Sequence, residues 1–181
     1  DLDQQQRLSQ MIAKQALRID CIIQDTLNMV RNKETYPTQL QLNQFIPTFL
    51  QEDLADVAQQ INYNIQDKMA ITFDEAQLRQ ILINLLRNAI RHNAPAHAKI
   101  ELNIYAHESN VRIDVRDFGS GVASQDLAYL FQPFFSTEIT GTGLGLYLSR
   151  SFCEANQAEL NYVEQKQGAC FRIECPHVAL N

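Results

Sequence analysis

The chain has 181 residues, of which 45% are hydrophobic, and its formal net charge at pH 7 is −6. This length accommodates one domain with a core and an additional element. The negative charge argues against nucleic-acid binding. No apolar run approaches the roughly 18 residues of a membrane span, so we expect any membrane attachment to come from segments outside this chain.

The sequence begins at Asp1 rather than at methionine, and we expect a fragment or a processed product. No signal-peptide pattern is present. The four cysteines, Cys21, Cys153, Cys170 and Cys175, contain no C-x-x-C pair. They predict buried free thiols in a reducing compartment rather than a zinc site. These features together predict a cytoplasmic protein.

Residues from about 3 to 33 contain no glycine or proline and predict one long helix. Its apolar positions alternate steps of four and three, as in a helical bundle. A helix of about 30 residues is roughly 45 Å long, which is too long to fold back into a small α/β domain. We therefore expect residues 1–34 to be one arm of a helical hairpin. The apolar seam consists of Ile12, Ala16, Ile19, Ile23, Thr26 and Val30.

Residues 35–39 predict a linker, and residues 40–178 predict a domain in which helices and strands mix. Asp74 is expected to cap the long central helix, and Pro47 to lie in the first turn of the preceding one. Strand hairpins combined with helices predict an α+β fold, with a mixed sheet covered by helices on one face. The predicted strands cover residues 40–42, 61–65, 70–73, 99–107, 111–117, 159–164 and 169–175, and the predicted helices cover residues 43–57, 75–92 and 144–155.

Asn84 and Asn88 are four residues apart and share one face of the predicted central helix, which Arg91 and His92 continue. An amide carbonyl is a hard, neutral ligand suited to a Mg²⁺ ion that bridges phosphates. Arg91 is a permanent cation suited to phosphate oxygens. A solvated polar helix face is the alternative interpretation of these residues.

Asp117 ends an apolar strand and precedes Gly119 and Gly121. A carboxylate at this place can accept a hydrogen bond from an adenine amino group, and glycines permit unusual backbone angles beside it. An ordinary Asp-x-Gly turn is the alternative.

Gly141, Gly143 and Gly145 lead directly into an apolar helix. Glycines let the backbone approach phosphates, and a helix N-terminus supplies N–H groups and a positive dipole end. No Gly-Lys-Ser/Thr follows, so the turn is not a P-loop. No βαβ unit surrounds it, as a Rossmann fingerprint requires. A purely structural turn is the alternative.

Phe131, Phe134 and Phe135 surround Pro133 in a segment otherwise typical of a surface loop. This pattern predicts a mobile lid that packs when a ligand binds. A small satellite core is the alternative.

Together, these blocks resemble in order and spacing the N, G1, F and G2 boxes of sensor histidine kinases, within the broader group that includes gyrase, Hsp90 and MutL. The resemblance covers about residues 40 to 177 and implies the Bergerat or GHKL fold, an α/β sandwich. Residues 1–33 resemble the second helix of the dimerisation and phosphoacceptor hairpin. The four blocks are Asn84–Ala89, Asp117–Gly121, Phe131–Phe135 and Gly141–Leu146.

The resemblance implies ATP and Mg²⁺ as cofactors. It implies Asn88, Arg91 and His92 as catalytic residues near the phosphates, with Asn88 as the Mg²⁺ ligand. It also implies Asp117 at the adenine amino group. The other residues implied at the nucleotide are Asn84, Gly119, Gly121, Val122, Phe131, Gly141, Thr142, Gly143, Leu144, Gly145 and Leu146.

The motif Phe-x-Pro-Phe-Phe-Ser-Thr resembles that of the nitrogen-regulation and pilus-regulation branch of these sensors. Glu138 follows where that branch often has lysine, so a lid cation for the terminal phosphate is missing or is supplied by another group, such as Arg91 or Arg150. Asn156-Gln157 replaces the usual glycine pair before the last hairpin, and we expect that turn to differ.

The family phosphorylates a histidine that is followed by an acidic residue near the start of the first hairpin helix. His107-Glu108 resembles this pair but lies at the end of a predicted strand. His97 lies in a loop, and His177 follows the last strand. We expect the phosphoacceptor to lie before Asp1.

The resemblance therefore implies the ATP-binding domain of a sensor histidine kinase, which transfers the γ-phosphoryl group of Mg-ATP to a histidine outside this chain for relay to a response regulator. It implies a homodimer through the helical hairpin and the cytoplasmic portion of an inner-membrane sensor, with pilus regulation as one role. An ATPase or serine kinase of the same fold is an alternative, although residues 84–88 offer no catalytic glutamate. A nucleotide-independent signalling scaffold is another, and Glu138 is a point in its favour.

Overall fold

The computed structural model describes residues 5–13, 15–16, 19, 23, 34–66, 68–94, 99–138 and 141–177. The strands are β1 (Thr38–Gln41), β2 (Ile61–Ile65), β3 (Ala70–Phe73), β4 (Ile100–His107), β5 (Asn110–Arg116), β6 (Glu159–Val163) and β7 (Cys170–Pro176). The helices that follow β1 are α1 (Leu42–Asp53), α2 (Glu75–His92) and α3 (Gly145–Ala155), with short 3₁₀ turns at Ala58–Gln60 and Leu127–Tyr129.

Strands β2, β4, β5, β7 and β6 form one mixed sheet in that order. β2 runs parallel to β4, and the other neighbouring strands are antiparallel. β1 and β3 form a separate antiparallel pair. This arrangement confirms the predicted α+β fold with a mixed sheet.

Alternation along the central strands gives the sheet one apolar and one polar face. Ile100, Leu102 and Ile104 of β4 are buried on the face that the helices cover. On the other face, Arg172 donates from Nε and Nη2 to the two carboxylate oxygens of Asp114, each at 2.8 Å. These hydrogen bonds raise the pKa of Arg172 above its ordinary value. The sheet is thus covered by helices on its apolar face, as predicted.

Helix α2 is capped and amphipathic. Asp74 Oδ1 accepts a hydrogen bond from the Gln77 backbone N–H at 3.0 Å, which confirms the predicted N-cap. Apolar residues at helical spacing form the buried face, and Asn84 and Asn88 lie on a neighbouring face. The buried apolar residues are Leu78, Ile81, Leu82, Leu85, Leu86 and Ala89.

Helix α1 differs from its prediction at both ends. It begins at Leu42 and ends at Asp53, because the backbone leaves the helical region at Leu54, with φ −133°. Pro47 lies inside the helix, so its predicted place in the first turn is wrong. A proline there lacks the N–H that would otherwise bind the carbonyl oxygen of Asn43.

The N-terminal segment carries exposed apolar residues. Residues 5–13 are helical, as are residues 15, 16, 19 and 23. Within this segment the seam residues Ile12, Ile19 and Ile23 are 68%, 57% and 49% exposed. The rest of the predicted arm, including Thr26 and Val30, lies outside the described residues, and the domain boundary at residue 34 stays a prediction. In the described ranges, no helix is long and apolar enough to cross a membrane.

The cysteines of the domain are buried. Cys153, Cys170 and Cys175 are free thiols, and burial raises the pKa of Cys170 and Cys175 to about 12. Both thiols therefore stay protonated at neutral pH and are poor nucleophiles. Cys21 lies outside the described residues. The described part of the chain contains no cluster of potential metal ligands.

A buried polar cluster joins the end of α3 to the start of α2. Asn156 Oδ1 accepts from the Asp74 backbone N–H at 2.7 Å, and Asn156 Nδ2 donates to Gln77 Oε1 at 2.7 Å and to the Phe152 carbonyl at 2.8 Å. Asp74 also accepts from the backbone N–H of Tyr36 at 2.9 Å. The cluster therefore ties the segment before β1 to both helices.

Replacing Asn156→Ala is expected to lower the free energy of unfolding by roughly 2–4 kcal/mol, because it removes the buried hydrogen bonds from the Asp74 N–H to Asn156 and from Asn156 to Gln77. Urea unfolding measures this change. Asn161→Ala is the matched control, since the exposed Asn161 side chain donates a hydrogen bond to the exposed Glu159 carboxylate, at 3.3 Å. Equal stability of the two variants would show that the cluster contributes nothing to folding.

Candidate functional site

A cavity of about 520 Å³ opens between α2, the start of α3 and the loops that follow β5. Its volume lies within the range of small-molecule sites, about 300–1,000 Å³. Most of the site residues predicted from sequence line this cavity. They are Asn84, Asn88, Arg91, His92, Asp117, Gly121, Val122, Gly141, Thr142, Gly143, Gly145 and Leu146.

Three predicted site residues do not line the cavity. Gly119 packs against the end of α2, where an added Cβ would lie 1.9 Å from the His92 carbonyl oxygen. Phe131 packs edge-on against Phe171, with ring centroids 6.4 Å apart. Leu144 is 1% exposed and belongs to the core. Their contact with a ligand stays a prediction.

The three phenylalanines of the aromatic block have different environments. Phe131 packs against the hydrophobic core, and Phe135 lines the cavity. Phe134 is 72% exposed and adopts φ 66°, a rare angle for a bulky residue. A separate small core would bury Phe134, so its exposure argues against the satellite-core alternative. Closure of this loop over a ligand stays a prediction.

Asp117 supplies a buried carboxylate to the cavity. It is 4% exposed and directly follows β5. Its Oδ1 accepts from the backbone N–H groups of Gly119 at 2.9 Å and Ala169 at 3.1 Å. The Asp117 N–H donates in turn to the Ala169 carbonyl at 3.0 Å. Within the described ranges these bonds fix the carboxylate without using Oδ2, which remains an acceptor for a ligand.

Gly168 is a supporting residue that the sequence analysis missed. It adopts φ +78°, and an added Cβ would lie 2.0 Å from the Asp117 carbonyl oxygen and 2.8 Å from the Phe118 Cα. Only glycine permits this approach, which brings the neighbouring Ala169 N–H to the Asp117 carboxylate. The available signal was a glycine just before an apolar strand, a pattern that points to no particular chemistry.

Asn84 lines the cavity, but its amide contacts α3. Its Nδ2 lies 3.3 Å from both the Gly145 carbonyl oxygen and Ser149 Oγ, and its Oδ1 accepts from Gln80 Nε2 at 3.3 Å. Asn84 therefore holds the first turn of α3 against α2. The side chain of Asn88, one helical turn further on, makes no hydrogen bond to another described residue, so its amide oxygen is available to a cation.

Arg91 and His92 bring basic groups to the cavity at the end of α2, where both contact Glu138. Arg91 Nη1 lies 3.6 Å from Glu138 Oε2, and His92 Nε2 lies 3.6 Å from Glu138 Oε1. His92 carries a charge only when it is protonated. Arg87, which also lines the cavity, lies 3.4 Å from the carboxylate of Asp56.

The glycine-rich turn leads into the start of α3 at the cavity. Gly143 adopts φ +71°, and an added Cβ would lie 2.4 Å from the Phe134 carbonyl carbon. Leu144 precedes the helix and provides no side-chain cap. The first-turn N–H groups, near Gly145 and Leu146, therefore remain available to an anion, which the positive end of the helix dipole also favours.

The cavity thus combines two kinds of binding group. A fixed carboxylate acceptor comes from the end of β5, while uncapped helix N–H groups and basic side chains come from α3 and α2. Apolar wall residues, including Val122, Leu130 and Leu146, lie around the same space. This arrangement fits a ligand that has a planar ring with a hydrogen-bond donor at one end and negative charge at the other.

Residues 73–179 match the family described as histidine kinase-, DNA gyrase B-, and HSP90-like ATPase. The chain is 37% identical over 179 residues to the sensor protein kinase PilS of Pseudomonas aeruginosa, with 94% of this chain and 34% of that protein covered. It is similar to full-length ShkA in complex with AMPPNP, with a TM-score of 0.74 and 25% identity over 88% of this chain and 36% of that one. It also shares the fold of histidine kinase ThkA in complex with response regulator protein TrrA, with a TM-score of 0.69 and 21% identity over 93% of this chain and 50% of that one.

The chain spans about a third of the length of the curated relatives it matches, 34% for PilS and 37% for the sensor histidine kinase ZraS of Escherichia coli. The compared region therefore includes the cavity but leaves most of each relative outside the comparison. These similarities confirm the resemblance to sensor histidine kinases that the four sequence blocks indicated.

Gly168→Ala is expected to lower the free energy of unfolding by about 2 kcal/mol or more, because its Cβ would overlap the Asp117 carbonyl at a backbone angle that alanine disfavours. Gly145→Ala is the matched control, since its Cβ would lie 3.6 Å from Asn84 Cγ, an ordinary van der Waals contact. Gly145 is also in a helix, where alanine is favoured. Denaturant unfolding compares the two. A Gly168→Ala protein as stable as the control would contradict the close packing of this turn on Asp117.

Proposed function

Because this chain belongs to the family of histidine kinase-, DNA gyrase B- and HSP90-like ATPases, we propose that it binds Mg-ATP as the catalytic domain of a sensor histidine kinase. In this proposal the domain transfers the γ-phosphoryl group to a histidine on a separate segment, from which the group passes to a response regulator. The observation that carries the proposal is the fixed carboxylate of Asp117 in the same cavity as the uncapped N-terminus of α3.

The Asp117 carboxylate matches the adenine end of ATP. The adenine amino group is a hydrogen-bond donor, and Oδ2 of Asp117 is an acceptor because Oδ1 is already held by Gly119 and Ala169. A base with a carbonyl oxygen at that position would place lone pairs against the carboxylate. The same geometry therefore favours adenine over guanine.

The start of α3 and the basic residues of α2 match the phosphate end. The uncapped N–H groups near Gly145 would bind phosphate oxygens, and Arg91 and His92 would neutralise their charge. During transfer, a lone pair of the acceptor imidazole forms a bond to the γ-phosphorus while the bond to the β–γ bridging oxygen breaks, which releases ADP. The domain contributes positioning and charge neutralisation to this step.

Asn88 is the residue of α2 that fits a magnesium ion. Mg²⁺ prefers oxygen ligands and keeps several waters when it bridges phosphates, so a single amide carbonyl from the protein suffices. The described residues contain no acidic metal cluster, which is compatible with an ion held mainly by the nucleotide. When bound, Mg²⁺ supplies neutralisation of the phosphate charge.

The phosphoacceptor is proposed to lie outside the catalytic domain. His92 ends α2 at the cavity, His107 ends β4, and His177 follows β7. None of these three described histidines lies near the start of a helix, where the resemblance puts the acceptor. His97 lies outside the described residues.

Partners and location are further parts of the proposal. The ThkA complex contains a response regulator, and this supports a response regulator as the downstream partner here. The exposed seam of the N-terminal segment supports a homodimer formed through paired helices. The similarity to the sensor protein kinase PilS supports a sensor kinase. A role in pilus regulation and a place on the cytoplasmic side of a membrane sensor are proposed from the sequence resemblance alone.

A hydrolytic ATPase of the same fold is the main competing function. Such an enzyme needs a carboxylate that can activate water beside the terminal phosphate. The cavity face of α2 offers Asn84, Asn88, Arg91 and His92, and no acidic residue among them. This face of α2 therefore supplies no carboxylate base for hydrolysis, while the loop residue Glu138 brings a carboxylate to the same cavity. Formation of phosphohistidine rather than free phosphate distinguishes the two functions.

Asp117→Asn is expected to weaken ATP binding by about tenfold or more, because a donor N–H replaces the acceptor that faces the adenine amino group. The asparagine oxygen can still accept from Gly119 and Ala169, so the fold should persist. Calorimetric titration with ATP, with and without Mg²⁺, measures the effect.

Asp126→Asn is the matched control, since it makes the same change at another residue that lines the cavity. It should retain ATP binding. Equal affinity of the two variants would contradict the assignment of Asp117 to adenine. A folded wild-type protein that binds no ATP would contradict the nucleotide site and favour the scaffold function.

A further inference from the structure

Glu138 places a carboxylate against the two basic residues at the end of α2. Its Oε2 lies 3.6 Å from Arg91 Nη1, and its Oε1 lies 3.6 Å from His92 Nε2. All three residues line the cavity. A negative group thus occupies the position where the proposed triphosphate would find its cationic partners.

We propose that the Glu138 carboxylate competes with the nucleotide phosphates for Arg91 and His92. It holds these two residues in the ligand-free site and must release them when ATP binds. This role deepens the proposed function and rests on it, since the cavity must bind ATP for the competition to occur. Arg87 is less suited to replace them, because it lies beside Asp56. The carboxylate therefore opposes phosphate binding at the basic groups that this binding needs.

The contacts of Glu138 allow its side chain to leave without loss of the surrounding loop. Its backbone N–H donates to Ser136 Oγ at 3.1 Å, and its carbonyl accepts from Ser136 Oγ at 3.1 Å and from the Gly141 N–H at 3.3 Å. These bonds hold the main chain, whereas the carboxylate itself contacts Arg91 and His92. Release of the carboxylate therefore requires a rotation of one side chain.

The strength of the contacts suits a competitor that can be displaced. The side chains of Arg91 and His92 are 51% and 49% exposed, and that of Glu138 is 31% exposed. Exposed pairs of this kind each change an equilibrium constant by a factor of about 1.4 to 5. A triphosphate carries more charge than one carboxylate and can displace it, while the carboxylate still lowers the observed affinity.

The competitor should act on phosphates and leave the base unaffected. Asp117, which is assigned to adenine, has its hydrogen bonds to Gly119 and Ala169 and none to Glu138. Glu138→Gln keeps the shape of the side chain and removes its charge. This variant should therefore bind ATP more tightly and bind adenosine with unchanged affinity.

Calorimetric titrations of wild type and Glu138→Gln with ATP, adenosine and tripolyphosphate, each with and without Mg²⁺, test the proposal. Glu164→Gln is the matched control, because it removes one negative charge from an exposed residue that does not line the cavity. We expect Glu138→Gln to raise the affinity for ATP and tripolyphosphate by about threefold to tenfold. Adenosine binding and the control variant should match wild type.

Three results would overturn the proposal. Equal ATP affinity in wild type and Glu138→Gln would show that the carboxylate does not compete. If Glu138→Gln bound ATP more weakly than wild type only when Mg²⁺ is present, Glu138 would be assigned to the metal instead. Absence of ATP binding by every folded variant would contradict the proposed function itself, and the competitor role with it.

Discussion

The site depends on one constraint, the fixing of the Asp117 carboxylate by two backbone N–H groups. One donor, Gly119, is two residues away, whereas the other, Ala169, comes from the turn between β6 and β7. The sheet makes this meeting possible, because β5 and β7 are neighbours and Arg116 is paired with Cys170. Gly168 then allows the turn to approach Asp117 more closely than a side chain would permit. A buried carboxylate oriented in this way can serve as a selective acceptor.

The second half of the site depends on the attachment of α3 to α2 by amide side chains at both ends. Asn84 holds the first turn of α3, and Asn156, just after its last turn, binds the start of α2. The two helices are therefore antiparallel, and the uncapped N-terminus of α3 is held at the cavity. Glu138 differs in kind, because its longer contacts with exposed groups form a weak interaction on a rigid frame. The frame positions the groups that bind the ligand, and the Glu138 carboxylate lowers the affinity of that binding.

Local sequence patterns predicted much of this structure, but they could not predict contacts between residues that are distant in sequence. The spacing of apolar residues predicted α2 within its observed bounds, and with them the common face of Asn84 and Asn88. The approach of Gly168 to Asp117 left no local signal, since it arises from strand pairing. The contact of Asn84 with Gly145 likewise joins residues that are far apart in sequence. The predicted position of Pro47 was wrong because tertiary packing tolerates a proline inside α1.

In the proposed function, this cavity presents ATP for transfer of its terminal phosphoryl group to histidine. The most direct test is incubation of the full-length protein with Mg-ATP labelled at the γ-phosphate, followed by acid and base treatment of the modified protein. We expect a protein-bound phosphate that is lost in acid and retained in base, as is typical of phosphohistidine. Hydrolysis of ATP without any such phosphoprotein would contradict it.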